Sequence, residues 1–375
     1  MEKIWLSSPT MHGEEQAFVK EAFDSNWVAP LGENVNEFEK EVAAYVGCRS
    51  AVAMTAGTHA LHMCFKVAGV GEGDIVLCSD LTFAATANPV TYVGGKLVFI
   101  DSERETWNMN PKLLEKALET YGDKVRAVAV VNLYGTPAKL DEICALCDKY
   151  HVILIEDAAE SLSAKYKGKQ TGGFGKYNAI SFNGNKIITS SGGGMFLSDD
   201  AEAAEKVRFY STQSREKVLW YQHSEIGYNY RMSNVLAGIG RGQMVHLDEH
   251  RAMKKRIYDT YREGFRGCPV EMNPYLACSE PNFWLSCITI GDTYTGKVTP
   301  ETLRLALEKE NIESRPIWKP MHMQPVFADC DFVTADDGCV SEDIFARGLC
   351  LPSDIKMTSA QQQKVIEIIK RCFDV

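Results

Sequence analysis

Seven short runs of β-branched and aliphatic residues punctuate the first 200 residues, at 51–54, 75–78, 96–100, 127–131, 152–155, 179–182 and 194–197. Most are continuously apolar rather than alternating, the pattern of strands covered on both faces. Longer stretches with helical spacing separate them. In one, residues 110–118, Asn110 stands at an N-cap position and Pro111 at the first helical position, where a missing N–H costs nothing. Strands alternating with helices in this way predict an α/β domain around a seven-stranded, mostly parallel sheet.

Past Asp199 the pattern changes. Residues 201–210 and 235–265 read as helices, the second long and amphipathic. A proline-containing stretch at 267–281 follows, then a strand-like run at 283–290 and helices at 299–310, 341–347 and 359–372. The expected division is a large domain over 1–250 and a smaller C-terminal α+β domain over 251–375. A chain of 375 residues can bury about three quarters of its unfolded surface, enough for two cores.

Charge and cysteine placement narrow the class. Forty Lys and Arg against fifty Asp and Glu give a net charge of −10, the wrong sign for tracking nucleic-acid phosphates. No apolar run approaches the ~20 residues needed to span a bilayer, and residues 1–5 lack the apolar core of a secretory signal. The twelve cysteines lie inside apolar stretches, as at Cys78 and Cys350, which predicts reduced, buried thiols in a cytoplasmic protein.

Several familiar signatures fail. Gly69, Gly71 and Gly73 do not make a dinucleotide fingerprint. The stretch 291–298 is one residue from a P-loop, but Val298 stands where a hydroxyl must reach magnesium, and Thr299-Pro300 reads as a helix cap. Cys144 and Cys147 form a lone CxxC inside a helical pattern, better read as core thiols than as a zinc or redox pair. His59 and His62 have no third ligand, so no metal site is expected.

One constellation does not fail. The run at 152–155 ends in Glu156-Asp157, at the edge where α/β proteins bind ligands. One carboxylate should face the ligand crevice; alternatively, Asp157 caps a helix starting at Ala158. Strand 179–182 leads into Asn183-Gly184-Asn185-Lys186-Ile187-Ile188, placing a lysine between a turn and two isoleucines. From Ser161 to Ser198 there is no Asp or Glu, while five lysines occupy the window. Such a field favours a phosphorylated ligand, and desolvation of Lys186 would make it nucleophilic; a solvated surface amine is the alternative. Thr55-Ala56-Gly57-Thr58 follows strand 51–54 and would offer free amides to an anion, unless Thr55 or Thr58 simply caps the helix. Pyridoxal phosphate needs an amine for a Schiff base, an anion against its pyridine nitrogen and a phosphate cup. Lys186, Asp157 and the Gly57-Thr58 turn supply these in turn.

The sequence also resembles the DegT-type sugar aminotransferases. The resemblance is carried by residues 156–161 (EDAAES), 181–186 (SFNGNK), 192–195 (GGGM), 25–33 (SNWVAPLGE), 227–234 (GYNYRMSN) and 315–322 (RPIWKPMH), and it extends over essentially the whole chain. These segments are most similar to the bacillosamine-type subgroup, which aminates UDP-2-acetamido-4-keto-2,6-dideoxyglucose using L-glutamate. The resemblance implies a pyridoxal phosphate-dependent fold type I enzyme. By it, Lys186 is the Schiff-base residue, Asp157 pairs with the pyridine nitrogen, and Glu160 lies near the cofactor's 3-oxygen. Phe83 stacks on the ring, although by pattern alone it reads as core. Ser181 holds the phosphate. Asn183 belongs to the cofactor-binding set at a position where many relatives have histidine. Asn229 reaches the phosphate from the neighbouring subunit, which implies a homodimer with shared sites. Ala56 departs from a serine common among relatives, leaving backbone amides to serve instead.

For the nucleotide sugar, the resemblance points to Asn26, Trp27, Arg315, Trp318, Lys319 and His322; a surface loop explains the last four nearly as well. A sugar 3-dehydratase of this fold would carry histidine in place of Lys186. Amination of another ketosugar, such as GDP-4-keto-6-deoxymannose or a 3-keto sugar, and a non-catalytic regulatory protein are the other readings.

Overall fold

The computed structural model describes residues 2–292, 297–336 and 338–374. Fifteen strands lie among them: β1 (Ser50–Met54), β2 (Ile75–Ser79), β3 (Lys96–Ile100), β4 (Val125–Val131), β5 (Ile153–Asp157), β6 (Lys165–Tyr166), β7 (Lys169–Gln170), β8 (Tyr177–Ser181), β9 (Gly194–Ser198), β10 (Val270–Met272), β11 (Ser279–Glu280), β12 (Cys287–Ile290), β13 (Arg315–Pro316), β14 (Asp331–Val333) and β15 (Gly348–Cys350). The main sheet has the order β1-β9-β8-β5-β4-β2-β3-β14, and only β9 runs against its neighbours. This is the architecture of fold type I, with one correction: the sheet has eight strands where the sequence predicts seven. The eighth, β14, pairs parallel with β3 through Asp331–Val98, Phe332–Phe99 and Val333–Ile100. Three residues carry no usable periodicity, and their partner lies over 200 positions upstream.

Helices cover both sheet faces. Asn110 accepts from the Lys112 amide and Pro111 opens the helix Pro111–Tyr121, as its sequence predicts. The single helix expected over 235–265 is two, Asn234–Met244 and Leu247–Gly264. Their packing surfaces differ. The first half lies flush against the N-terminal helices: a Cβ on Gly240 would sit 2.5 Å from the Phe38 ring, and one on Gly242 2.6 Å from the Glu15 backbone. The second half sends Ile257 and Tyr261 into another core, with Ile288, Leu303, Leu349 and Ile366. That core covers the antiparallel sheet β10-β12-β15-β13.

Thr299 caps the helix Pro300–Glu308, accepting from the Thr302 amide; residues 293–296 of the P-loop-like stretch lie outside the described residues. Of the twelve free cysteines, six are buried, five half-buried and Cys278 exposed, so the expectation of uniformly buried thiols is corrected in part. No helix among the described residues is long and apolar enough to cross a membrane.

The carboxyl ends of β1, β5 and β8 meet at one edge, and glycine sets how closely. A Cβ on Gly194, the first residue of β9, would lie 2.5 Å from the Ala56 carbonyl and the Gly57 amide nitrogen, while one on Gly57 would lie 2.9 Å from Ser181 Cβ. Backbone on both sides cannot yield as a flexible side chain would. Gly194→Ala should therefore lower stability by about 1–3 kcal/mol, read as a shift in urea midpoint at unchanged slope; an unshifted midpoint would mean that the turn is free to move.

Candidate active site

At that edge lies a cavity of about 310 Å³. Its walls come from the turn after β1 (Thr55 to Thr58), from Phe83 after β2, from Asp157 and Glu160 after β5, from Ser181 to Lys186 after β8, and from Gly192 and Gly193, with Trp284 and Trp318 closing the side toward the small sheet. Ligand crevices form at the carboxyl ends of parallel strands because side chains and loop amides converge there.

Alternation along β5 separates its two acids. Glu156 points into the protein and accepts from Asn132 Nδ2, the Gly172 amide and the Phe174 amide, each at 2.8 Å. Asp157 faces the cavity, accepting from Thr86 Oγ1 at 2.7 Å and the Ala159 amide at 3.0 Å. No helix begins at Ala158, so the capping alternative for Asp157 falls. Burial pushes the Asp157 carboxyl above the usual carboxylate range, opposed by Thr86, the Ala159 amide and the nearby Lys186.

Lys186 sits in the turn after β8, its amide donating to the Asn183 carbonyl at 3.1 Å. Its Nζ lies 3.8 Å from Glu160 Oε1 and 4.1 Å from the centre of the Trp284 ring, with the two charged side chains only 12% and 2% exposed. Burial draws the amine below the ordinary lysine range, against the pull of Glu160 and Asp157. The surface-amine alternative is thereby excluded. Burial likewise raises Glu160, countered by Lys186 and by the Tyr134 amide, which donates to Glu160 Oε2 at 2.7 Å. The acid-free window of the sequence does not map onto an acid-free site: both acids facing Lys186 lie just upstream of it, and Lys167 pairs with Asp141 far from the cavity.

Across the cavity the helix Gly57–Val67 begins. Its N-cap is Ala56, in extended conformation and without a side-chain cap. Neither threonine caps the helix: Thr55 Oγ1 instead bonds His59 Nδ1 at 2.7 Å. The amides of the first turn thus face the cavity at the positive end of the helix dipole, a ready anion site. Ser181 and Asn183 line the wall beside it. Phe83, 56% exposed, is not core; its ring stands 5.4 Å from that of Trp318 at the mouth.

Among the residues predicted for substrate, the structure gathers only Trp318. Arg315 pairs with Glu313 at 2.9 Å on the rim of a different cavity. His322 is held between Asp80 (Nδ1 to Oδ2, 2.8 Å) and Glu342 (Nε2 to Oε1, 3.0 Å) and stacks on Phe332. Lys319 is half-buried and lines neither cavity. The single cationic cluster expected around 315–322 is therefore corrected: that segment turns over too few residues to aim them all one way. Asn26, in left-handed conformation, and Trp27 are exposed and away from this chain's cavity, as is Asn229. Sequence reading missed Trp284, Thr86 and Tyr134. Thr86 carried a faint signal, a hydroxyl among the apolar residues Ala87, Pro89 and Val90 on the buried face of its helix; Trp284 and Tyr134 had none, because each enters from an element distant in sequence.

The chain matches the model of the DegT/DnrJ/EryC1/StrS aminotransferase family over residues 9–370. It is 49% identical to a Bacillus subtilis protein named "Putative pyridoxal phosphate-dependent aminotransferase EpsN", over 99% of this chain and 96% of the relative. It is 34% identical to the GDP-perosamine synthase of Caulobacter vibrioides, over 97% and 96%. A crystal structure of a DegT DnrJ EryC1 StrS aminotransferase from Brucella abortus superposes with a TM-score of 0.88 at 29% identity, covering 96% of this chain and 95% of that one.

The amine's environment makes a signed prediction. In competitive acylation read by peptide mass, Lys186 should titrate below the ordinary lysine value of ~10.4, while exposed Lys167, raised by Asp141, should titrate above it. Glu160→Gln removes a group that holds the proton on Lys186, so its midpoint should fall further; a rise would contradict the assignment.

Proposed function

The chain belongs to the DegT/DnrJ/EryC1/StrS aminotransferase family, and from that premise we propose that it moves an amino group from L-glutamate to C4 of a nucleotide-linked 4-keto-6-deoxy sugar, UDP-2-acetamido-4-keto-2,6-dideoxyglucose. The observation that carries the reading is the buried Lys186 amine, set between Glu160 and Asp157 and opposite an uncapped helix start.

Pyridoxal phosphate fits these residues. The Gly57 and Thr58 amides with Ser181 and Asn183 would take its phosphate, Asp157 its ring nitrogen, Phe83 its ring face and Lys186 its aldehyde carbon, with Glu160 beside the 3-oxygen. When bound, the cofactor supplies a carbon that carries the amino group and a ring that accepts the electrons of a broken C–H bond. The protein's part is proton management. Asp157, fixed by Thr86 and the Ala159 amide, would keep a proton on the ring nitrogen. Lys186 Nζ, lowered in proton affinity by burial, would carry the proton between the substrate carbon and the cofactor's aldehyde carbon, a role that typically contributes about 10²–10⁴-fold. Glu160 receives the amine's charge at 3.8 Å whenever Lys186 is free. Trp318 beside Phe83 narrows the mouth where the sugar nucleotide would enter.

The reading includes a homodimer with shared sites in the cytoplasm. Asn229 is exposed outside its own cavity, in a segment that also exposes Leu219, Trp220, Tyr221 and Ile226, and would reach the phosphate of the neighbouring chain. Asn26 and Trp27 would meet the nucleotide sugar from such a rim. The UDP sugar rests on the motif resemblance; the GDP-perosamine synthase relative favours a second reading, amination of GDP-4-keto-6-deoxymannose.

Protein incubated with pyridoxal phosphate, L-glutamate and a panel of nucleotide 4-ketosugars should yield the amino sugar of the UDP substrate by mass. Product from GDP sugars alone would replace the substrate, and none from any would end the reading. Lys186→Ala should stay folded, lose the borohydride-fixed cofactor label on its peptide, and lose turnover by about 10² or more.

A further inference from the structure

A second lysine lies buried behind the first. Lys254, on the helix Leu247–Gly264, is 3% exposed and donates three hydrogen bonds: to Ser353 O at 2.7 Å, Trp284 O at 3.0 Å and Ser7 Oγ at 3.1 Å. Three acceptors around one nitrogen match the three protons of an ammonium, whose pKa burial draws down to about 7 against the pull of Asp354; above that the neutral amine still has two protons for the same acceptors. Two of those acceptors belong to residues that act on Lys186. Ser7 Oγ donates to the Asn185 carbonyl at 3.0 Å, and Trp284 Nε1 donates to the same carbonyl at 2.6 Å. That carbonyl belongs to the peptide unit whose N–H, on Lys186, donates to Asn183 O. The peptide plane bearing Lys186 is thus pinned on both sides, and the Trp284 ring stands 4.1 Å from its Nζ.

We propose that Lys254 is a positioning residue for the reactive amine: it holds Ser7 and Trp284, and through them fixes the peptide plane of Lys186 and the indole beneath its Nζ. This rests on the reading of Lys186 as the reactive amine. No wall of the main cavity includes Lys254, so it does not touch the reacting atoms. The consequence is geometric and electrostatic together. A small misplacement of a reacting atom costs up to about 10²-fold in rate. Loss of the indole also removes a surface that favours the protonated amine. The two effects act on separate quantities: the rate of attack by the neutral amine falls, and so does the pH at which the amine becomes neutral.

Apo-protein mixed with pyridoxal phosphate, followed by absorbance across pH and by borohydride mapping, separates them. In the parent the label should fall on Lys186; a label elsewhere overturns both the reading of Lys186 and this inference. Lys254→Met, close in shape and without charge, should retain a cooperative melt. It should capture the cofactor about tenfold or more slowly at the high-pH plateau, with a midpoint below the parent's. A purely structural role would lower the active fraction without moving the midpoint. Ser7→Ala, which removes one hydroxyl from a half-buried side chain, should slow capture severalfold and decides the matter if Lys254→Met does not fold. Combined in one chain, the two changes should cost less than the product of their separate effects, since they cut one network. Parent-like plateau and midpoint in folded Lys254→Met, or in Ser7→Ala if that variant alone folds, would overturn the inference with the label on Lys186 unchanged.

Discussion

An amine and two carboxylates share a site from which most water is excluded, and the geometry around them follows from that. Taking such groups out of water costs several kcal/mol each unless partners and hydrogen bonds compensate. Here Glu160 has Lys186 and the Tyr134 amide, and Asp157 has Thr86 and the Ala159 amide. With all three ionised the set carries an excess negative charge, and burial disfavours every charge in it: it raises both acids, with Asp157 adding to the rise of Glu160, and draws the amine down against the pull of the two carboxylates. On the proposed reading, pyridoxal phosphate would bring a protonated ring nitrogen to Asp157 and a phosphate to the open helix start. The chain folds into one half of an electrostatic arrangement that its cofactor completes.

The scaffold makes this arrangement rigid. Because β5 lies between β4 and β8 with all three parallel, Asp157 and the Lys186 turn leave the sheet at the same edge. Alternation then divides labour between adjacent acids: Asp157 faces the cavity, while Glu156 fastens the 172–174 segment beneath it. Gly57 and Gly194 let the β1 turn press onto β8 and β9, so the amides of the helix start and the lysine stand on opposing walls of one small cavity. Trp284 and Trp318 come from the C-terminal part of the chain, tying the site to the small sheet. Competing readings meet the same site. By the family resemblance, a dehydratase of this fold would carry histidine at position 186, and the family model that matches the chain is one of aminotransferases.

Local sequence was enough for the strand pattern and the caps at Asn110 and Thr299, and enough to single out Lys186, Asp157 and the Gly57-Thr58 turn as candidates that line one cavity. Each is local: an apolar run, a cap or a lysine beside a turn is written in consecutive residues. Tertiary structure decided what local patterns leave open, including which of Glu156 and Asp157 faces the ligand, and that neither threonine caps the helix after β1. It added Trp284, Tyr134 and Thr86 to the site, placed a short eighth strand on the sheet, and dispersed the segment from Arg315 to His322. These outcomes depend on contacts between residues dozens to hundreds of positions apart, such as Trp284 with Lys186 or β14 with β3, and such contacts are fixed by packing and charge compensation in the folded core, to which no single stretch of sequence has access.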